Sequence, residues 1–230
     1  MGDIIKPLEA SSEGLIESVR DSTSAEGMVF FHANEGKPLA TPWQVSLQRA
    51  ILLNKYNLPD GYILDCACGS GIQVAAYSVI TKKPVLGIEL NPQRARASAV
   101  NFNNIFIQRG EKNFDNLSKS IFLAGDGRDG DLAIEKLSAF TGNTGEKISL
   151  LHLDPARPRN SRSHSLDEMR PRLGEIFAGW KQHLASTSAG PAILLDLSPR
   201  LSHQQKLEVE DIVEQYWPAI AKTWTWTSRG

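Results

Sequence analysis

YILDCACGSG, at residues 62–71, is the stretch that decides the fold of this chain. Its apolar run ends in an acid, Asp65, which is followed by small residues and by two glycines, Gly69 and Gly71. Residues 72–80 are then amphipathic, with helical spacing. This order predicts a strand, a glycine-rich turn and a helix. Glycines let the backbone of such a turn approach a ligand closely, and the helix N-terminus adds unpaired N–H groups beside it.

Length and composition limit the class of protein. The 230 residues suffice for one α/β domain with a substantial core. Net charge is −1, so any contact with nucleic acid would need a local basic patch. No apolar run reaches about 18 residues, so no membrane span is expected. The N-terminus also lacks the apolar core of a signal peptide, and we expect a cytoplasmic protein.

Two cysteines, Cys66 and Cys68, are too few for a disulfide framework or a four-ligand metal site. No histidine lies nearby in the sequence to activate either thiol. We therefore expect both to be small apolar residues in a reducing compartment, and we expect no metal.

Four more apolar runs resemble the first, and each is followed by a polar or turn residue. Residues 85–88 precede Glu89, and residues 120–124 precede Asp126. The other two runs are residues 148–153 and 192–195, each followed by an acid. Five buried strands separated by helices predict an α/β protein with a doubly wound, mostly parallel sheet, which binds ligands at the carboxyl ends of its strands.

Three acids at these strand ends are candidate ligand-binding residues. Glu89 follows the glycine turn by about 20 residues, which is where a carboxylate accepts from both hydroxyls of a ribose. Asp126 can accept a hydrogen bond from the amino group of an adenine ring. Alternatively, Asp126 can cap a helix, although Asp129 is a second candidate for that role. Asp154 precedes Pro155, which forces an extended backbone and directs the acid off the strand end.

The first 36 residues are predicted to form a separate helical or flap segment ahead of the main domain at residues 37–230. Apolar positions within residues 8–24 indicate an amphipathic helix that covers the sheet. Residues 27–34 indicate a short strand or a flap. A further helix is expected from residue 43 to about 56, with Thr41 as its N-cap and Pro42 at its first position.

The motif series resembles that of class I S-adenosylmethionine-dependent methyltransferases. Its members here are Asp65-x-x-x-Gly69-x-Gly71, Glu89, Gly125-Asp126 and Asp154-Pro155. The resemblance covers roughly residues 38–230 and implies a Rossmann-like fold with S-adenosylmethionine as cofactor. Ala67 stands where many members carry a first glycine.

The same resemblance assigns roles to individual residues. It places the methionine end of the cofactor on Asp65, Ala67, Gly69 and Gly71, the ribose on Glu89 and the adenine on Asp126. It places Asp154 and Pro155 between cofactor and acceptor, where the reaction occurs.

Residues 153–157, LDPAR, resemble methyltransferases that carry a THUMP-like C-terminal domain, which implies an RNA acceptor, tRNA or rRNA. Many base N-methyltransferases carry a stacking aromatic after the proline, whereas this chain has Ala156 and Arg157. Residues 222–228 alternate like a sixth strand. Because a class I sheet usually closes with a further hairpin, the chain is expected to be truncated near that strand.

An arginine-rich stretch follows the fourth strand. Arg157, Arg159 and Arg162 could bind the phosphates of RNA, since guanidinium groups match phosphate oxygens. The alternative is a solvated loop whose charge is balanced by nearby acids.

Three functions stay open at this point: an RNA methyltransferase, a methyltransferase of a small-molecule or protein acceptor, and a non-catalytic cofactor-binding module. A nicotinamide dehydrogenase is weaker, because Val74 occupies the third small position of its glycine fingerprint.

Overall fold

The structure is a computed structural model that describes residues 1–19, 28–33, 41–110, 115–156 and 166–226. Two short 3-10 helices lie at Pro7–Glu9 and Leu166–Glu168. The strands and α-helices of the described residues are, in chain order, β1 (Ile4–Ile5), β2 (Ile16–Val19), β3 (Val29–His32), α1 (Trp43–Leu53), β4 (Tyr62–Asp65), α2 (Ile72–Thr81), β5 (Val85–Glu89), α3 (Pro92–Gln108), α4 (Asp115–Lys119), β6 (Ile121–Ala124), α5 (Gly130–Thr141), β7 (Ile148–Leu153), α6 (Leu173–Trp180), β8 (Ser186–Thr187), β9 (Gly190–Pro191), β10 (Ile193–Leu195) and α7 (His203–Tyr216).

One sheet organises the molecule. Among the described residues it has six strands in the order β1-β6-β5-β4-β7-β10. Strands β6, β5, β4, β7 and β10 are parallel to one another, and β1 joins the edge of the sheet antiparallel to β6. The order runs outward from β4 in both directions, so the chain changes direction across the sheet between β4 and β7. This confirms the predicted doubly wound, Rossmann-like fold, whose ligand crevice lies at such a switch point.

Helices cover both faces of the sheet. On one face, Leu64 and Leu153 pack in a cluster with Trp180 of α6 and with residues of α5 and α7. On the other face, Ile63 packs with Phe102 of α3 and with residues of α1 and α2. Side chains of successive strand residues point to opposite faces, so each buried strand contributes to both clusters.

Helix starts agree with the sequence in one place and differ in another. Asn91 caps α3, because its side-chain oxygen accepts the N–H groups of Gln93 and Arg94, with Pro92 at the first position. The Thr41 cap predicted for α1 is wrong. Pro42 is the N-cap residue there, no described side chain caps the helix, and α1 ends at Leu53.

The helix predicted over residues 8–24 is wrong within the described part of that stretch. Ile16–Val19 forms β2, which pairs antiparallel with β3 in the register Ile16↔His32. This hairpin is fixed to α3 by Asn101, whose side chain accepts from the N–H of Phe31 and donates to its carbonyl. Tertiary pairing thus overrides a short helical periodicity. Residues 27–34 are expected to form a strand or a flap, and β3 confirms the strand within the described residues 28–33.

The predicted sixth strand is wrong over residues 222–226, which have no regular secondary structure. This segment runs along α7 instead. Trp224 Nε1 donates to Glu210 Oε1 at 2.6 Å, and Lys206 Nζ lies 4.3 Å from the centroid of the Trp226 ring. Residues 227 and 228 of the prediction lie outside the described residues. Indole contacts with the helix surface therefore replace the expected strand pairing.

Cys66 and Cys68 are both buried and unbridged, and burial raises the pKa of each thiol well above its usual value. No described helix combines the length and the apolar character needed to span a lipid bilayer.

Candidate active site

The glycine turn between β4 and α2 is packed on one side and open on the other. Gly69 and Gly71 have φ of +53° and +71°, a region that favours glycine. A Cβ on Gly71 would lie 2.8 Å from the carbonyl oxygen of Ser98, so only glycine fits against α3. Among the described residues, a Cβ on Gly69 would meet nothing nearer than the Ala67 carbonyl oxygen at 3.9 Å. The space above Gly69 is therefore available to a ligand.

Glu89, at the end of β5, is joined directly to this turn. The residue is 8% exposed, and its Oε2 accepts the N–H of Gly69 at 3.1 Å. Its Oε1 accepts the N–H of Asn91 at 3.0 Å. The structure thus brings together the glycine turn and the acid that the sequence placed about 20 residues beyond it.

The loop after β6 adjoins both. The N–H of Gly125 donates to the Glu89 carbonyl oxygen at 2.9 Å. Gly127 lies so close to the Cys66 carbonyl oxygen that a Cβ there would be only 2.0 Å away from it. Asp126 is therefore held beside the turn. Its carboxylate is bound by Arg128 through Nε at 2.9 Å and Nη2 at 2.5 Å, which lowers the pKa of Asp126.

Of the two candidate caps for α5, Asp129 is the one the helix uses. Its Oδ1 accepts the N–H of Leu132 at 3.3 Å. Asp126 is thereby left to Arg128, in a half-exposed position at the edge of the sheet.

Asp65 supports the turn from within the protein. It is 2% exposed, and its Oδ1 accepts the N–H of Ala67 at 3.2 Å. Its Oδ2 forms an ion pair with Nδ1 of His152 at 3.0 Å. Asp65 therefore contacts two neighbouring elements of the site through one buried carboxylate.

His152, in β7, was not predicted from the sequence to belong to the site. It is 1% exposed, and its Nε2 lies 3.2 Å from Asp196 Oδ2. Burial lowers the pKa of His152, but the charge of Asp65 and the hydrogen bond to Asp196 outweigh it and raise the pKa to about 10. The imidazole is therefore a buried cation between two carboxylates at neutral pH.

Asp196, which follows β10, is the second carboxylate. Its Oδ2 also accepts from Arg49 Nη1 of α1 at 2.5 Å and from Gln73 Nε2 at the start of α2. Burial acts to raise the pKa of Asp196, but the bonds and charges of His152 and Arg49 prevail and lower it. Asp65, His152, Asp196, Arg49 and Gln73 thus form one polar cluster with a buried centre, which we call the charge cluster.

Asp154 follows the last residue of β7 and lies near the charged groups of the charge cluster. It is exposed, whereas Pro155 after it is buried. Among the described residues, no side chain forms a hydrogen bond or ion pair with the Asp154 carboxylate. The protein around it limits hydration, and Asp196 adds negative charge, so the pKa of Asp154 rises to about 6. Asp154 can therefore exchange a proton near neutral pH.

Sequence reasoning missed His152, Asp196, Arg49 and Gln73 as site residues. A usable signal existed for Asp196, which follows an apolar run as Asp65 and Asp154 do. The other three carried no local signal, since their contacts join distant parts of the chain. Arg157, Arg159 and Arg162 lie outside the described residues.

Comparisons with known proteins are sparse. No family profile matches the sequence, and no curated protein is detectably similar to it. Among solved structures, the chain is similar to a "putative rRNA-methylase" from Clostridium thermocellum, with 11% identity and a TM-score of 0.41. The alignment covers 76% of this chain and 82% of the other. A likeness of this strength carries no argument about function.

Proposed function

We propose that this protein is an S-adenosylmethionine-dependent methyltransferase that acts on RNA. The observation that carries the proposal is the 3.1 Å hydrogen bond from the Gly69 N–H to Glu89 Oε2. It joins an open glycine turn to an acid at the carboxyl edge of the sheet, beside the switch point where Asp154 stands. The order of these residues resembles the motif series of class I methyltransferases, with Ala67 in place of a first glycine.

The residues at this edge fit the cofactor. The space above Gly69 admits a ligand, and each Glu89 oxygen uses one N–H and keeps a further lone pair for a ribose hydroxyl. Asp126 lies beside them for the adenine amino group, although a ligand there has to share this carboxylate with Arg128. When bound, S-adenosylmethionine supplies a methyl group activated by a sulfonium.

The chain's own residues would then orient the acceptor and receive its proton. Asp154 is exposed at the end of β7, and its pKa of about 6 suits a group that accepts a proton at neutral pH. Most of the rate enhancement would come from alignment of the acceptor.

Replacing Glu89 should weaken cofactor binding. We expect Glu89→Ala to raise the Kd of both S-adenosylmethionine and S-adenosylhomocysteine at least about tenfold, equivalent to 1.4 kcal/mol. The reason is the loss of the carboxylate that accepts from the ribose. Isothermal titration calorimetry measures this, with NAD as a ligand that should not bind.

Two further variants make this test specific. Glu89→Gln keeps an acceptor for the turn and separates lost ligand contacts from a disturbed turn, while Glu146→Ala removes an acid distant from the site. Tight binding of NAD, or equal affinities of wild type and Glu89→Ala, would contradict the proposed cofactor site.

The RNA acceptor is proposed from the sequence. Arg157, Arg159 and Arg162 come three to eight residues after Asp154 in the sequence. We propose that they meet the acceptor, because this stretch of the chain follows the strand end that carries Asp154. Guanidinium groups bind phosphate oxygens in pairs, and such contacts position nucleic acid without selecting its sequence. A local patch is needed because the net charge is only −1.

Salt dependence tests this acceptor. We expect log K for unmodified tRNA transcripts to fall with log salt, and Arg157→Ala/Arg159→Ala/Arg162→Ala to reduce the slope by about two, since each phosphate contact contributes about 0.7–0.9. Fluorescence anisotropy measures the binding. A matched triple variant, Lys55→Ala/Lys119→Ala/Lys181→Ala, removes three exposed cations near the amino ends of the strands. Equal slopes for both triples, or methyl transfer insensitive to salt, would favour a small acceptor instead.

A further inference from the structure

Asp154 and Asp196 leave neighbouring strands side by side. β7 and β10 are parallel and pair in the register Leu153↔Leu195. The N–H of Asp196 donates to the carbonyl oxygen of Leu153 at 2.9 Å, so the pairing continues up to the two acids. The next residue of each strand is therefore a carboxylate, and both lie at the carboxyl edge of the sheet.

The contacts of Asp196 are one-sided. Arg49, Gln73 and His152 all reach Oδ2, and Oδ1 has no hydrogen bond from the part of the chain that the structure describes. The side chain is only 11% exposed, so these three donors fix its orientation. The carboxylate of Asp196 is consequently fixed in orientation by its contacts at Oδ2, and its Oδ1 can accept a hydrogen bond from another partner.

A third hydrogen-bond acceptor, the side-chain amide oxygen of Gln73, lies beside Asp196. Gln73 is 8% exposed, and its amide nitrogen donates to Asp196 and to the Tyr77 hydroxyl. Its amide oxygen accepts no hydrogen bond within the described residues. It is therefore free to accept a hydrogen bond from a ligand or water. The Asp154 carboxylate, Asp196 Oδ1 and this amide oxygen thus make this corner of the site rich in acceptors.

We infer that Asp196 is a second acceptor-binding residue beside Asp154, and that the two together select an amine nitrogen carrying at least two hydrogens as the methyl acceptor. The inference rests on the proposed function. One N–H of the nitrogen donates to Asp196 Oδ1 and another to Asp154. This arrangement orients the amine without the stacking aromatic that is missing at Ala156.

The step balances. Asp196 holds the acceptor nitrogen while the lone pair of that nitrogen forms the bond to the methyl carbon. The bond between the methyl carbon and sulfur breaks, and sulfur retains the electron pair. Asp154 takes the proton that the nitrogen loses and passes it to water. Arg49 and His152 act as positioning residues, because they hold Asp196 and do not touch the methyl acceptor.

An amine-bearing analogue tests this without knowledge of the acceptor. In sinefungin, a carbon carrying an amino group replaces the sulfonium with its methyl, so its amine occupies the place of the transferred methyl. S-adenosylhomocysteine lacks that amine. We expect wild type to bind sinefungin at least about tenfold more tightly than S-adenosylhomocysteine, because charge-assisted hydrogen bonds reward the amine.

The preference for sinefungin should depend on both acids. Asp154→Asn and Asp196→Asn should each reduce sinefungin affinity at least about fivefold, while S-adenosylhomocysteine affinity changes less than about twofold. Asp196→Glu retains the charge beside Arg49 and His152 but moves the carboxylate, so it keeps the fold and should also lose the preference. Asp60→Asn, at the opposite end of β4, controls for a lost negative charge.

The outcomes are separable. An unchanged preference for sinefungin in Asp196→Asn and Asp196→Glu would overturn the role of Asp196. If wild type binds neither sinefungin nor S-adenosylhomocysteine, the proposed function fails, and this inference fails with it.

Discussion

Replacing His152 with leucine is expected to lower the free energy of unfolding by about 3–5 kcal/mol at pH 7, because removal of one partner from a buried ion pair leaves uncompensated charge behind. His152 is 1% exposed and lies between Asp65 and Asp196, which are 2% and 11% exposed as side chains. Leucine fills a similar volume but neutralises neither acid. Urea denaturation followed by circular dichroism measures the change.

A second histidine–aspartate pair provides the control. His183 Nε2 lies 2.7 Å from Asp131 Oδ1, as close as a strong pair, but the Asp131 side chain is 76% exposed. Such pairs contribute at most about 1 kcal/mol, so His183→Leu should cost far less than His152→Leu. Similar losses in the two variants would contradict the buried cation at position 152.

The pH dependence gives a separate signature of the same charge. His152 has a pKa raised from 6.5 to about 10 in the folded protein, so its protonation stabilises the fold fully below pH 6.5. That stabilisation is lost as the pH rises towards 10. The difference between wild type and His152→Leu should shrink over this interval. The buried thiols of Cys66 and Cys68 also disfavour folding at high pH, but they are present in both proteins and cancel.

Replacing Asp154 is expected to have the largest effect on activity. Asp154→Asn should reduce turnover on unmodified RNA transcripts by about 10²–10⁴-fold, the usual contribution of a positioned acid or base. S-adenosylhomocysteine affinity should stay within about twofold, because no described residue bonds to this carboxylate and its loss leaves the glycine turn intact. Transfer of a labelled methyl group measures turnover, and calorimetry measures binding.

Turnover by the wild type should also fall as the pH drops through about 6, since Asp154 must be unprotonated to accept a proton. Asp60→Asn serves as the matched control for charge and should be fully active. A loss of cofactor binding in Asp154→Asn would assign this residue to the cofactor and not to the acceptor.

The sheet was predictable because each buried strand carries its own signal. The apolar runs before Asp65, Glu89, Asp126 and Asp154 predict the strands. They also predict that these acids lie at one edge of the sheet, since the carboxyl ends of parallel strands share an edge. The hydrogen bond from Gly69 to Glu89 follows from that order. By contrast, Ile16–Val19 depends on pairing with β3, which no local period in the sequence records.

The charge cluster was not predictable by the same reasoning. His152 sits within an apolar run and reads as one more buried strand residue. Arg49 and Gln73 lie on helices, and their contacts with Asp196 span 147 and 123 residues of the chain. Such partners become visible only in the fold, where Arg49 of α1 and Gln73 of α2 reach Asp196 after β10. The sequence showed where the acids lie but not how they are neutralised.

The position of β1 at one edge of the sheet has a consequence for how the chain folds during its synthesis. β1 pairs Ile4 with Leu123 and Ile5 with Phe122, so its partner leaves the ribosome roughly 6–24 s later at a synthesis rate of about 5–20 residues per second. During that interval β1 presents unpaired backbone groups, which are a template for pairing with another chain. Aggregation therefore competes with folding for β1, and the time between the synthesis of β1 and that of β6 sets how long that competition lasts.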